Sequence, residues 1–283
     1  MVIYYKKETN IVKYVKSKVK TTLYKKGGFL SMFGLGKVQY PDIYFHSGAL
    51  HKDSLELIKN SKKTIVNASK LKEDLIKSYK IEKDKIEVMY PAVEVEPFDK
   101  QEVKKEFYIQ HQIHFKKKII YFTAKNFKKS GFEQFCDIVN EVEENNFQVV
   151  ITLKDKDQKD YVNRVLKSNM MDKTTIIIED EIFNIADIFL LPTRFKNFPL
   201  NVVKAMANQC AVLLPASNYG IEVLDIFATI NMDNNTNTAY KIDMLLKLDN
   251  ELKKVQQENY KIGKKLNYDY QRDKLDKIIE TLV

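Results

Sequence analysis

Tryptophan is absent from this 283-residue chain, and arginine, cysteine, proline and glycine are scarce. Arg164, Arg194 and Arg272 are the only arginines, so nearly every cation is a lysine. Proteins that read base sequence lean on the planar, bidentate guanidinium, and no nucleic-acid partner is expected. Cys136 and Cys210 each lie inside an apolar segment, with no His or Cys nearby at ligand spacing. They read as reduced core residues and exclude a disulfide framework or a structural zinc site. No apolar run reaches the roughly 18 residues that cross a bilayer. The start lacks the charged, apolar and small-residue order of a secretory leader. A cytoplasmic protein is therefore expected.

What is present is charge and a regular pattern. The net charge is +9, which suits nucleic acid, a lipid headgroup surface or a phosphorylated small molecule. A codon bias toward Lys, Asn and Ile produces the same excess with no partner behind it. The first ninety residues alternate strand and helix. Strands are expected at Val2 to Tyr5, Asp42 to Phe45, Lys63 to Ser69 and Ile86 to Tyr90. Helices are expected over Asn10 to Tyr24, Ser54 to Asn60 and Lys70 to Tyr79. Strands that alternate with ten-residue helices imply βαβ units and a parallel sheet. The acidic, extended stretch PAVEVEP (Pro91 to Pro97) reads as a linker.

The pattern then restarts with apolar runs of buried-strand type. These are Lys118 to Thr123, Phe147 to Leu153, Thr174 to Ile178, Ile188 to Leu191 and Ala211 to Leu214. Helices are expected between them, over Gly131 to Asn145, Asp157 to Ser168 and Leu200 to Asn208. The charged tail from Asn250 to Val283 also has helical period.

Several stretches resemble one family in order and spacing. TIVNASKLKEDLIKSYKIEKDKIEVMYPAVEVEPF resembles the interdomain crossing of family-4-like glycosyltransferases of the GT-B fold. YFTAKNFKKSGFEQF resembles their donor-diphosphate loop, and ADIFLLPTRFKNFPLNVVKAMANQCAVL the segment that carries an E-x7-E motif. ASNYGIEVL resembles the loop after that segment. The resemblance implies an α/β protein of two Rossmann-like domains: a shortened N-terminal, acceptor-side domain at 1–92, and a C-terminal donor domain at 93–283 that includes the C-terminal helices. It implies a hexosyltransferase-type enzyme, acting with retention and without a metal or other cofactor. Sugar would pass from a nucleotide-diphosphate donor to a glycan, lipid-linked or protein acceptor, as in polysaccharide biosynthesis.

The same resemblance supplies the candidate site. Lys125 stands where the family's loop arginine would be, which keeps the charge but loses the planar fork. Ser130 occupies the slot of the family lysine, beside Gly131, with Lys128 and Lys129 just before it. Taken alone, this three-lysine loop is equally a solvated basic turn. Both motif glutamates are replaced, by Lys196 and Lys204. In the family the first contacts the donor sugar or its phosphate region, and the second accepts from ribose hydroxyls. A lysine has only donors, so the exchange implies an altered, more anionic donor or a site that no longer binds one. In the second case the chain is a catalytically silent subunit that binds an acceptor or a protein partner. Phe198, Pro199, Leu200 and Asn201 set up a helix start whose amides suit phosphate. His46, at the end of DIYF, matches a histidine close to the donor sugar and is the catalytic candidate. It is equally a structural histidine after a buried strand.

Two further features stand apart from the resemblance. Gly34-Leu35-Gly36 is a turn too short to be a phosphate fingerprint. Asn10 to Lys26 places Ile11, Val15, Val19 and Leu23 on one stripe flanked by lysines. That pattern lies on anionic lipid, at the inner face of a membrane, or packs on the domain's own sheet.

Overall fold

The computed structural model describes residues 1–25 and 39–282, and the Gly34-Leu35-Gly36 turn lies outside them. The chain divides into two compact units. One is Met1–Ala92 together with Leu266–Val283, and the other is Val93–Lys265.

The first unit is a five-stranded parallel sheet in the order β2-β1-β3-β4-β5. Its strands are β1 (Val2–Tyr5), β2 (Thr22–Leu23), β3 (Ile43–Phe45), β4 (Lys63–Val66) and β5 (Ile86–Val88). Among the described residues, three helices connect them: α1 (Asn10–Lys18), α2 (Lys52–Asn60) and α3 (Ser69–Tyr79). Helix α1 stops at Lys18, short of the expected Tyr24. Val19, Thr21 and Thr22 are β-branched and weak helix formers, and the open edge of β1 recruits residues 22–24 instead. The Thr22 amide donates to the Met1 carbonyl at 2.9 Å and the Tyr24 amide to that of Ile3 at 2.7 Å. Leu23 consequently leaves the expected apolar stripe and is exposed on β2.

Of the rest of that stripe, Val15 lies in the core, and Ile11 and Val19 are partly buried against it. Val12 and Val15 are buried with Ile3, Ile43 and Ile65 and with Leu275, Ile278 and Ile279 from the C-terminal helix. Lys16 pairs with Glu8 at 2.7 Å and Lys18 with Asp276 at 3.4 Å. The apolar face of α1 is thus buried against strands and a helix, which is the second of its two readings, packing on the domain's own sheet. No helix among the described residues is long and apolar enough to cross a membrane.

The second unit carries a six-stranded parallel sheet in the order β11-β10-β9-β6-β7-β8. The strands are β6 (Lys118–Thr123), β7 (Phe147–Leu153), β8 (Thr174–Ile178), β9 (Ile188–Leu190), β10 (Ala211–Pro215) and β11 (Thr229–Ile230). Every residue of β7, β9 and β10 is buried, as a sheet covered on both faces requires. The covering helices are α4 (Lys100–Gln110), α5 (Phe132–Asn140), α6 (Asp157–Val165), α7 (Leu200–Ala207), α8 (Asn235–Lys247) and α9 (Asp249–Lys265). Helix α5 ends five residues before the expected Asn145. The Asp243 carboxylate accepts from the amides of Glu143 and Glu144 at 3.1 and 2.7 Å, so these leave the helical ladder. Helix α9 packs closely on α7 because Gly263 has no side chain. A Cβ there would lie 2.6 Å from the Ala207 nitrogen.

The C-terminal segment was expected with the second domain, and the structure corrects this. After Lys265 the chain enters α10 (Tyr268–Glu280), capped by the Asn267 side chain, and α10 packs in the first unit. Leu275, Ile278 and Ile279 lie in that unit's core, and the Tyr14 hydroxyl donates to Asp276 at 2.8 Å. The two α/β sheets otherwise have the expected doubly wound character.

Candidate functional site

In a doubly wound sheet, ligands bind beyond the carboxyl ends of the strands where the strand order reverses. In the second unit β6, β7 and β8 run outward in one direction, while β9, β10 and β11 run outward in the other. The reversal falls between β6 and β9. The loops after these two strands, 124–131 and 191–199, are the two basic stretches singled out in the sequence.

The first loop is a fixed turn. Phe127 is buried, with its ring centroid 5.2 Å from those of Phe122 and Phe132. The Asn126 side chain accepts from the Lys129 amide at 2.9 Å, and the Ser130 amide donates to the Asn126 carbonyl at 2.9 Å. Gln158 donates to the Lys125 carbonyl at 2.9 Å. Lys125, Lys128 and Lys129 point outward and are exposed. Gly131 precedes α5 with φ +84°, and a Cβ there would lie 1.9 Å from the Pro192 carbonyl oxygen. The two loops therefore meet backbone to backbone, which only glycine permits.

The second loop is held from both sides. The Asn201 side chain donates to the Thr123 carbonyl at 3.4 Å, tying the start of α7 to the end of β6. The fully buried Asn218 donates to the Phe195 carbonyl at 2.9 Å and accepts from the Gly220 amide at 2.8 Å. The ASNYGIEVL stretch thus anchors the loop that carries Lys196. Phe198 is buried against Gly220, while Lys196 and Leu200 are exposed. Helix α7 begins after Pro199 without a side-chain cap, so its first amides are not covered by a capping side chain.

Lys204 is engaged by a neighbouring carboxylate. It does not present a free ammonium beside the helix start. Its Nζ lies 2.5 Å from Oε2 of Glu181, and the Lys154 Nζ lies 3.6 Å from Oε1 of the same carboxylate. Sequence reasoning missed Glu181 and Lys154. They come after β8 and β7, at the carboxyl edge of the sheet, but no local motif marks either.

His46 belongs to the first unit, directly after β3. It is buried, and its Nδ1 lies 3.0 Å from the Tyr44 hydroxyl. Its Nε2 is buried with no hydrogen-bond partner among the described residues. Burial, reinforced by Lys6, pushes the imidazole down to about 4. Burial also raises the Tyr44 phenol to about 12. The ring is therefore neutral at pH 7, able to exchange a hydrogen bond but not to supply a positive charge.

Other features are structural. Cys136 and Cys210 are buried free thiols, pushed up by burial to about 12 and about 11. A groove of about 750 Å³ runs beside Lys100, Asp187, Gln209 and Tyr260. It lies at the amino ends of β9 and β10, away from the reversal. The Lys100 ammonium already donates to the carbonyls of Ala186, Asn208 and Gln209. Among the described residues, no group of three or more His, Cys, Asp and Glu is placed to hold a metal ion.

Residues 103–262 match the model of a family described as glycosyl transferases group 1. The fold is that of a glycosyltransferase from Rickettsia africae ESF-5, with a TM-score of 0.74, 16% identity and coverage of 99% of this chain and 76% of the other. Anabaena HepE, solved in complex with UDP, gives a TM-score of 0.73 at 11% identity, covering 99% of this chain and 78% of that one. WaaG, a glycosyltransferase involved in lipopolysaccharide biosynthesis, gives 0.67 at 10% identity and covers 99% of both chains. No curated protein sequence matches the chain. These likenesses bear out the expected α/β architecture of two Rossmann-like domains.

Proposed function

The chain belongs to the glycosyl transferases of group 1, and we propose that it transfers a hexosyl group from a nucleotide-diphosphate sugar to a glycan, lipid-linked or protein acceptor. The observation that carries this reading is the joint of the two loops at Gly131 and Pro192, beyond the carboxyl ends of β6 and β9. It joins the loop that carries the exposed lysines to the loop that leads into α7, whose start Asn201 ties to the end of β6. Backbone amides at a helix start and nearby ammonium groups are the donors a diphosphate takes up.

In this reading Lys125 and Lys129 face the diphosphate, with the Ser130 hydroxyl and the backbone at Gly131 beside it. The Phe198 to Asn201 segment presents its amides, and Lys196 adds a charge on the donor-sugar side. Negative charge grows on the leaving diphosphate as the glycosidic bond breaks. Fixed cations stabilise that charge without reorganisation, which is why the proposed mechanism needs no metal. Transfer would proceed with retention. An anionic membrane surface would meet α1 only through its lysine flank, because the apolar face is buried. That leaves an electrostatic attachment, which salt weakens.

The test is turnover and binding with a panel of UDP, GDP, ADP and CMP sugars. Measurable binding of a nucleotide sugar, with release of the nucleotide in the presence of acceptor glycans, supports the enzyme. If no nucleotide or nucleotide sugar binds at millimolar concentration, the chain is a silent subunit. The replacement of both motif glutamates by Lys196 and Lys204 is the observation that favours this second reading.

A further inference from the structure

Lys154 and Glu181, which neither the sequence motifs nor the diphosphate reading uses, form a cluster with Lys204. Lys154 comes directly after the last residue of β7, Glu181 lies three residues beyond β8, and Lys204 is in the second turn of α7. The Glu181 side chain is 11% exposed, and both lysines are more open, at 47% for Lys154 and 36% for Lys204. The backbone beside Glu181 is fixed from below. The Ile182 amide donates to the Tyr121 hydroxyl at 3.0 Å, and that hydroxyl lies 2.6 Å from Thr152 Oγ1. Phe183 packs edge-on against Tyr121 at 5.2 Å. A carboxylate is thus held at the carboxyl edge of the sheet, on the β7–β8 side of the strand-order reversal.

We propose that Glu181 is the residue that reads the ribose hydroxyls of the donor nucleotide, with Lys154 and Lys204 positioning its carboxylate. This rests on the nucleotide-sugar reading of the second unit. An ionised carboxylate accepts about four hydrogen bonds over its two oxygens. Lys204 uses one lone pair of Oε2, and Lys154 at 3.6 Å from Oε1 is an ion pair beyond hydrogen-bonding range. Acceptor capacity remains on both oxygens, as a vicinal diol needs. An acidic side chain that takes ribose hydroxyls is the general solution in doubly wound nucleotide sites. A lone carboxylate beside a diphosphate would repel it. The two lysines leave the cluster with net positive charge, so hydroxyl recognition and diphosphate binding are compatible.

Lys204, at a position where a carboxylate would be expected, does not replace that carboxylate's contacts to the ligand. It holds a carboxylate delivered from another loop.

The experiment is calorimetry on the full chain with the nucleoside diphosphate it binds best, the 2′-deoxy and 3′-deoxy forms of that nucleotide, and inorganic pyrophosphate. The unmutated protein should prefer the ribonucleotide over the deoxy forms by about tenfold, as for hydrogen bonds to a charged group. Glu181→Gln should erase most of that preference and change pyrophosphate affinity by less than about twofold. Glu181→Asp, which keeps the charge but draws it back, should retain part of it. Retained preference in Glu181→Gln would overturn the assignment and leave the nucleotide-sugar reading standing. So would parallel losses for the ribonucleotide, its deoxy forms and pyrophosphate, because Glu181 would then be only a strut for the loops. Failure of the unmutated protein to bind any nucleotide would overturn both.

Discussion

Gly131 lies so close to Pro192 that a Cβ at position 131 would stand 1.9 Å from the Pro192 carbonyl oxygen. With its left-handed backbone at φ +84°, the position is closed to any side chain. Gly131→Ala should therefore cost about 3 kcal/mol in urea unfolding, through strain and separation of the two loops. Gly48 also has positive φ, at +92°, but open space around it. Gly48→Ala should cost only about 1 kcal/mol, from the backbone conformation alone. Equal costs for the two would show that the loop contact does not govern the site.

Lys125 stands just beyond β6 on a turn that Gln158 and the Asn126 side chain hold in place. Lys125→Ala should weaken nucleoside-diphosphate binding by about 1.5–3 kcal/mol, the range for a charge-assisted hydrogen bond. Binding of the bare nucleoside should hardly change. Equal losses for nucleoside and diphosphate would remove Lys125 from the diphosphate site.

Restoring glutamate at the two motif positions has two separate effects. Lys204→Glu would set a carboxylate against Glu181, where Lys204 now sits at 2.5 Å. Like charges in a half-buried site should lower the melting temperature by several degrees. Lys196 is exposed, so Lys196→Glu should leave the melting temperature unchanged. It should weaken binding of an anionic donor about tenfold, by placing negative charge near its phosphates. Unchanged donor affinity in Lys196→Glu would take Lys196 out of the site.

His46 gives a pH dependence with a definite sign. Its imidazole is pushed by burial from 6.5 to about 4, so the unfolded chain takes up this proton first. Its contribution to stability is full above about pH 6.5 and is lost as pH falls toward 4, by about 3 kcal/mol in total. His46→Gln cannot titrate. The difference in unfolding free energy between this variant and the unmutated protein should narrow by that amount between pH 6.5 and 4. A difference that stays constant over the range would show that His46 is not held neutral by burial.

The sequence alone determined most strands of both sheets, β2 and β11 excepted, and much of the turn after β6, because these are local. A seven-residue run rich in β-branched residues such as FQVVITL (Phe147 to Leu153) reads as a strand buried on two faces, and a glycine ahead of FEQFCDIV suits a helix start. The same reasoning extended the first helix to Tyr24, because local periodicity carries no record of the open edge of β1 that captures Thr22 and Leu23. The charged period of the tail showed a helix but not its partner. Leu275 and Ile279 bury equally well in any apolar layer, and only the folded chain sets them against Val12 and Val15. Lys204 is the sharpest case. Its partner Glu181 lies 23 positions away on another loop, and a charge carries no sequence mark of what will neutralise it. Only the arrangement of β7, β8 and α7 around one corner of the sheet turned two separate lysines and a glutamate into a single group.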